Sequence, residues 1–320
     1  MALGERFRAF AAVECGRSPL YRALAEGIAG DADLLALAGA SAPGQPAPNL
    51  FLAAVRDLAL AGVGDPYGSF ATFRAFCLAQ AEPIRQRLRT RRVQTNEVAR
   101  CACLLPAFAR VADAVGGAPL ALVDVGASAG LHLFLDRYAY EYSDGRRWGP
   151  AGSPVHLTCE VRGGAPPLPP GVRVAMRVGI DLHPVDVRDP GEARWLLALV
   201  WPDQPERAAR LQAAMRLAAA DPPRVVAGDA FDVLPTLAGA TPAGDHLCVF
   251  HCHTLNQFAA DDRVRFGDML AGLGRPVSRV AIEWSAGEPG PRLTLTRYPA
   301  ATEERLGHCD GHGEWLHWSA

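Results

Sequence analysis

Ten residues near the middle of the chain, Ala121-Leu-Val-Asp-Val-Gly-Ala-Ser-Ala-Gly130, join a short apolar run to a turn of small residues. The run reads as a buried parallel strand, and Leu131-His-Leu-Phe-Leu-Asp-Arg-Tyr138 after it reads as the start of a helix. Glycines let a ligand approach the backbone closely, and free amides at a helix start favour anionic groups. Asp124, Gly126, Ala127, Ser128 and Gly130 are therefore candidates for holding a ligand. The same turn spells G-x-S-x-G, in which Ser128 would be a nucleophile exposed on a strained bend. A tight turn with no ligand is the third reading. Other polar residues stand at comparable places. Asp181 in Gly179-Ile-Asp-Leu182 and Asp229 in Ala227-Gly-Asp-Ala230-Phe231 each follow an apolar run. Either carboxylate can accept from paired hydroxyls or an exocyclic amine, or simply cap a helix. His251-Cys-His253-Thr-Leu-Asn256 closes another apolar run. An unperturbed imidazole titrates near 6.5 and can act as a general base; a pair of hydrogen-bonded buried histidines is the alternative. Gln94, Asn96 and Glu97 precede an apolar helix, either as its start with Thr95 as cap or as polar contacts to a small-molecule substrate.

These residues need a scaffold. Up to about residue 117 the apolar spacing of three and four predicts helices, among them Phe7–Val13, Tyr21–Ile28, Leu50–Leu60, Phe70–Ala81 and Thr95–Val115, which together form a cap. From residue 118 onward strand and helix alternate. Strands are expected at Leu120–Val125, Val172–Leu182, Arg224–Ala230, His246–Phe250 and Val277–Trp284, with Leu293–Tyr298 and Trp315–Trp318 as a final pair. The pattern predicts an α/β, Rossmann-like doubly wound sheet of about seven strands. Residues 140–170 interrupt it as an insertion. Asp144-Gly145 there suggests a hairpin turn, Val155–Val161 a further strand, and Pro166-Pro-Leu-Pro-Pro170 a stiff connector.

Composition narrows the chemistry. The chain has 320 residues, a net charge of −2 and 49% hydrophobic content. There is no basic excess for nucleic acid, no apolar run of membrane-spanning length, and no signal-peptide layout at the N-terminus. A cytoplasmic protein that binds neither nucleic acid nor membrane is expected. All 32 basic residues are arginine. Without lysine there is no Schiff base, no pyridoxal phosphate chemistry and no Walker A loop. The 8 cysteines contain no C-x-x-C pair, so reduced buried thiols are the expectation and no metal is assigned. The density around His251–His253 and His308–His312 leaves a zinc site as the alternative.

An acid two residues before the first glycine, then Gly-x-x-x-Gly, resembles the first motif of class I S-adenosylmethionine-dependent methyltransferases. The resemblance implies S-adenosylmethionine as cofactor. Asp124, Gly126, Ala127, Ser128 and Gly130 would lie at its amino-acid end, Asp181 at the ribose, and Asp229 with Ala230 at the adenine. It places the methyl acceptor at the end of the fourth strand, beside His251, His253 and Asn256. Asp181 follows Gly130 at an unusual distance, so Glu160 inside the insertion is the alternative ribose acid. Over nearly its whole length the chain also resembles the family known as domain of unknown function 2332. That likeness is carried by Ser18-Pro-Leu-Tyr21, Gln94-Thr-Asn-Glu97, Gly126-Ala-Ser-Ala-Gly-Leu131, Asp136-Arg-Tyr138, Gly179-Ile-Asp-Leu-His-Pro-Val-Asp186, Trp195 with Val200-Trp-Pro202, and Gly228-Asp-Ala230. The family implies a methyltransferase-like fold and no particular activity. Two other functions fit the residues: a serine hydrolase using Ser128, with His308 or His312 as its base, and a non-catalytic Rossmann-like binding protein.

Overall fold

The computed structural model describes all 320 residues, Met1–Ala320, as two compact units. The first comprises residues 1–95 and 188–212, the second residues 96–187 and 213–320. This partition differs from a boundary at residue 117. The helix over Arg100–Ala114 belongs to the second unit, while residues 188–212 return to the first.

The first unit is helical: α1 (Leu3–Val13), α2 (Pro19–Ala29), α3 (Ala32–Ala38), α4 (Ala47–Leu60), α5 (Phe70–Ala79) and α6 (Ala81–Thr90). After α7 (Arg100–Ala114) in the second unit, α8 (Pro190–Ala198) and the first half of α9 (Pro205–Ala220) complete the helical one. α4 is its central element. It packs against α1, α3, α6 and α8, and its residues from Ala47 to Leu58 are almost all buried. Ser18 starts α2 by accepting the Tyr21 amide at 3.0 Å, and Asp31 starts α3 by accepting two amides. These caps satisfy amides that a helix start leaves open.

The second unit is built on a sheet of 11 strands rather than about seven. Its parallel core consists of β1 (Leu120–Val125), which opens the sheet in sequence, and, after the segment holding β2 (Ala139–Tyr142), β3 (Arg147–Trp148) and β4 (His156–Gly163), of β5 (Val174–Asp181), β6 (Arg224–Ala227), β7 (His246–Cys252) and β8 (Val277–Glu283). β9 (Arg292–Tyr298), β10 (Thr302–Cys309) and β11 (Trp315–Trp318) then run as an antiparallel meander. The strand order is β3-β2-β4-β11-β10-β9-β8-β7-β1-β5-β6. Two features raise the count above expectation. One is β10, to which the sequence pattern assigns no strand; its first half, Thr302 to Arg305, is polar and exposed or half-exposed. The insertion at 140–170 does not stand apart from the sheet. In β4, Leu157 and Cys159 are buried between exposed His156, Thr158 and Glu160, so the strand has one core face, and it pairs with β11 and β2. Asp144-Gly145 does form the expected turn of the β2–β3 hairpin, with Gly145 at φ 85°.

Helices cover both faces of this core. α7, buried along most of its length, packs against β4, β8 and β9. α10 (Ala230–Ala240) and α11 (Ala260–Ala271) close the other side, where Leu234, Leu237, Phe266 and Leu270 meet Val123, Val125, Ile180 and Val249. β1, flanked by β5 and β7, is buried at all six positions, as a strand covered on both faces must be.

Candidate functional site

Chain order reverses at β1, with β5 on one side and β7 on the other. In open α/β sheets the crevice outside the carboxyl ends of such strands is where ligands bind. Three segments meet there: the Gly126–Gly130 turn after β1, Asp181 at the end of β5, and His251–Asn256 at the end of β7.

The turn is packed rather than open. Gly126 has φ 80°, and a Cβ on it would lie 2.3 Å from Thr254 Oγ1. Gly130 has φ 69°, and a Cβ there would meet Pro223 at 2.9 Å and Val225 at 3.1 Å. Its amides are engaged: those of Gly126 and Ala127 donate to Ile180 O, that of Gly130 to Ala127 O, and that of Ser128 to Asp181 Oδ2 at 2.7 Å. The glycines therefore serve close packing and left-handed backbone, not an amide cradle for a phosphate. A short 3-10 helix over Leu131–Arg137 follows in place of a long α-helix. Ser128 itself adopts φ 52° and is buried.

Asp181 is half-buried and doubly oriented, its Oδ1 accepting the His183 amide at 2.8 Å and its Oδ2 that of Ser128. Asp124 is buried within β1. Its Oδ2 has no hydrogen-bond partner and faces His132 Nδ1 at 3.6 Å, while His132 Nε2 lies 2.9 Å from Glu97 O. Asn96 clamps the turn from outside, accepting the Leu131 amide at 3.0 Å and donating toward Ala127 O at 3.4 Å. Residues 95–99 precede α7 and do not form its first turn. Gln94 lies in the helical unit, half-buried. Asp229 is exposed and caps α10, accepting the Phe231 amide at 2.9 Å; Ala230 is the first residue of that helix. Glu160 is exposed on β4 and pairs with Arg162.

At the end of β7 the polar residues separate by role. His251 is wholly buried, with Nδ1 2.6 Å from Glu283 Oε1 and Nε2 without a partner. Glu283 also accepts the amides of Thr254, Leu255 and Asn256. Burial alone would raise the Glu283 carboxyl; the bond from His251 and the two amides of Leu255 and Thr254 outweigh it and hold the group below 4.5. The Asn256 side chain exchanges two bonds with the Trp284 backbone, 2.9 Å as donor and 2.7 Å as acceptor. His253 has φ 58° and stacks on Trp284 at 5.9 Å. Burial, then the positive charge of Arg100, lowers its titration to about 3, far from the value near 6.5 on which a base role was expected to rest. Its ring is neutral throughout the physiological range.

Sequence reading missed Glu283, Thr254 and Arg100. The available signal for Glu283 was an acid ending the apolar strand next to the histidine-bearing one. Arg100, buried at the start of α7, donates to Gly311 O at 2.9 Å. No group of three or more His, Cys, Asp or Glu side chains is arranged to hold a metal ion. No helix is long and apolar enough to cross a membrane.

Neither a curated protein nor a solved structure matches the chain. One family model does, over residues 4–318, described as an uncharacterized protein conserved in bacteria (DUF2332). That span takes in both units, and the chain belongs to this family.

Proposed function

We propose that the second unit binds S-adenosylmethionine at the β5–β1–β7 edge and transfers its methyl group to a small molecule. The observation that carries this reading is the reversal of strand order at β1, the place where open α/β sheets bind ligands, with an oriented acid, Asp181, beside it. The residues present suit the cofactor in three respects. Asp181 is a carboxylate at the carboxyl end of β5, the residue type that accepts from paired ribose hydroxyls. Asp124 Oδ2, buried and without a hydrogen-bond partner beside the turn, suits an ammonium group. Half-buried Phe231 and Phe258, with ring centroids 6.1 Å apart between α10 and the end of β7, offer an apolar wall to a nucleobase.

The cofactor supplies an electrophilic methyl on a sulfonium. The protein's part is to align an acceptor with it, a positional contribution that needs no strong base. Neutral His253 on Trp284 would give the acceptor a flat face and a hydrogen-bonding nitrogen, while Glu283 holds His251 and the Thr254–Asn256 loop in place. Ser128 hydrolase chemistry draws less support. The acid-facing histidines of this unit direct Nε2 of His132 to Glu97 and Nδ1 of His251 to Glu283.

Calorimetric titration of S-adenosylmethionine and S-adenosylhomocysteine tests the proposal. The parent should bind both, and a folded Asp181→Ala variant should bind about 10- to 150-fold more weakly, as loss of a charge-assisted hydrogen bond predicts. Absence of any heat from the parent at millimolar ligand would remove the methyltransferase reading and leave only the doubly wound fold.

A further inference from the structure

Two segments that carry the family likeness, Ser18-Pro-Leu-Tyr21 and Val200-Trp-Pro202, lie in the helical unit. Ser18 caps α2 through the Tyr21 amide and donates its own hydroxyl to Asp203, 2.7 Å from Oδ2. The two segments are thereby joined, and Tyr21 packs on Trp201 with ring centroids 5.3 Å apart. The Tyr21 side chain is 2% exposed, and its hydroxyl lies beside that of Tyr67. The Tyr67 hydroxyl is also buried, between that of Tyr21 and the Arg56 guanidinium. Burial pushes the Tyr67 hydroxyl up to about 12 and that of Tyr21 well above 10, so both remain proton donors at physiological pH.

Arg56 lies beside these hydroxyls, and its positive charge opposes the effect of burial on each. It is 8% exposed, projects from the middle of α4, reaches Leu197 O at 3.4 Å and otherwise faces the Tyr67 hydroxyl, with no carboxylate in salt-bridge contact. The neighbouring carboxylate on the helix does not neutralise it. Asp57 is taken by Arg87 at 2.7 Å and Arg194 at 2.8 Å. A guanidinium buried without a counter-charge is costly, and protein groups rarely stay so without a function. Arg56 and Tyr67 line a cavity of about 300 Å³, whose other walls are Ala59, Leu60, Gly62 and Gly64, with Asp65 at its exposed rim. That volume is at the lower end of small-molecule sites, and mostly apolar walls with a few polar groups are their usual make-up.

We propose that this cavity is a binding site for a small organic acid, with Arg56 and the Tyr67 hydroxyl receiving the carboxylate and Ala59 and Leu60 receiving an apolar body. The carboxylate would supply the counter-charge that Arg56 lacks and an acceptor for the Tyr67 hydroxyl. Asp65 at the rim repels a doubly charged phosphate more strongly than a singly charged carboxylate, which favours the latter. The site is independent of methyl transfer in the other unit.

The test is titration of the full chain with acetate, butyrate and benzoate, alongside benzamide as neutral isostere and inorganic phosphate. Butyrate or benzoate should bind, with benzamide and phosphate silent. Arg56→Met and Tyr67→Phe, which keeps the ring, should each weaken binding at least about tenfold, the loss of one hydrogen bond to a charged group. Without ligand, Arg56→Met should melt at or above the parent temperature, since it removes an uncompensated buried charge. No carboxylate binding at about 20 mM, a concentration that detects weak fragments, overturns the site. So does equal binding by parent and both variants. Phosphate binding in place of the carboxylates overturns the assignment of the ligand class.

Discussion

Nδ1 of His251 lies 2.6 Å from Oε1 of Glu283, joining the carboxyl ends of β7 and β8 through side chains as well as through their backbone ladder. The same carboxylate receives the amides of Thr254, Leu255 and Asn256. One acid therefore orients the buried imidazole and shapes the loop that rests on the Gly126 turn. Glu283 thus organises the polar cluster at the carboxyl end of β7.

Replacing Glu283 by Gln should destabilise the protein by about 2–3 kcal/mol at pH 7, the scale of losing hydrogen bonds to a buried charged acceptor. The sign of its pH dependence follows from a carboxyl held below 4.5 in the folded state. Its stabilisation is complete above the ordinary carboxylate range and is lost as pH falls through the lowered value. Thermal melts should show a constant gap between parent and Glu283→Gln from pH 6 to 8, closing below about pH 4.5. A gap that persists unchanged at pH 3 would contradict this account.

Gly126→Ala should cost about 2–4 kcal/mol, combining left-handed backbone with a Cβ 2.3 Å from Thr254 Oγ1. Adding Thr254→Ala removes the nearest atoms but not the backbone strain. The double variant should then be more stable than the sum of the two single losses predicts. Strict additivity in denaturant melts would mean that the contact does not limit this position.

Ser128 has the left-handed backbone of a strained nucleophile but sits in a turn whose amides serve the sheet. Fluorophosphonate probes should label the parent no more than Ser128→Ala. Strong labelling confined to the parent would establish a reactive serine there.

The thiols should be inert in the folded protein. Burial pushes Cys15 and Cys77 up to about 12, and Cys103, packed with Cys159 and Cys309, is raised well above 9. All eight cysteines are unpaired and seven are buried. Ellman's reagent at pH 8 should register at most one thiol, the half-exposed Cys252, until denaturant releases the rest. Rapid reaction of several native thiols would show that the second unit opens readily.

The strands of the parallel core were legible from sequence because strands covered on both faces must be apolar throughout. Leu120–Val125 matches to the residue, and the expected Val277–Trp284 differs from β8 by one. The absence of lysine and its chemical exclusions were likewise complete on the page. The outer strands were less legible. β10 begins polar, and β4 sits inside a segment that reads as an insertion until β11 is beside it. Trp315 pairs with Glu160, far earlier in the chain, and no local pattern encodes that choice of partner. The candidate site divided in the same way. Gly126 and Asp181 were visible as residue types, but that the turn's amides are spent on Ile180 and Asp181 depends on β5 lying next to β1. The division between His251, tied to Glu283, and His253, kept neutral near Arg100, also arises only in three dimensions. Burial and neighbouring charge set the state of an imidazole, and both are properties of packing that a strand's own sequence does not contain.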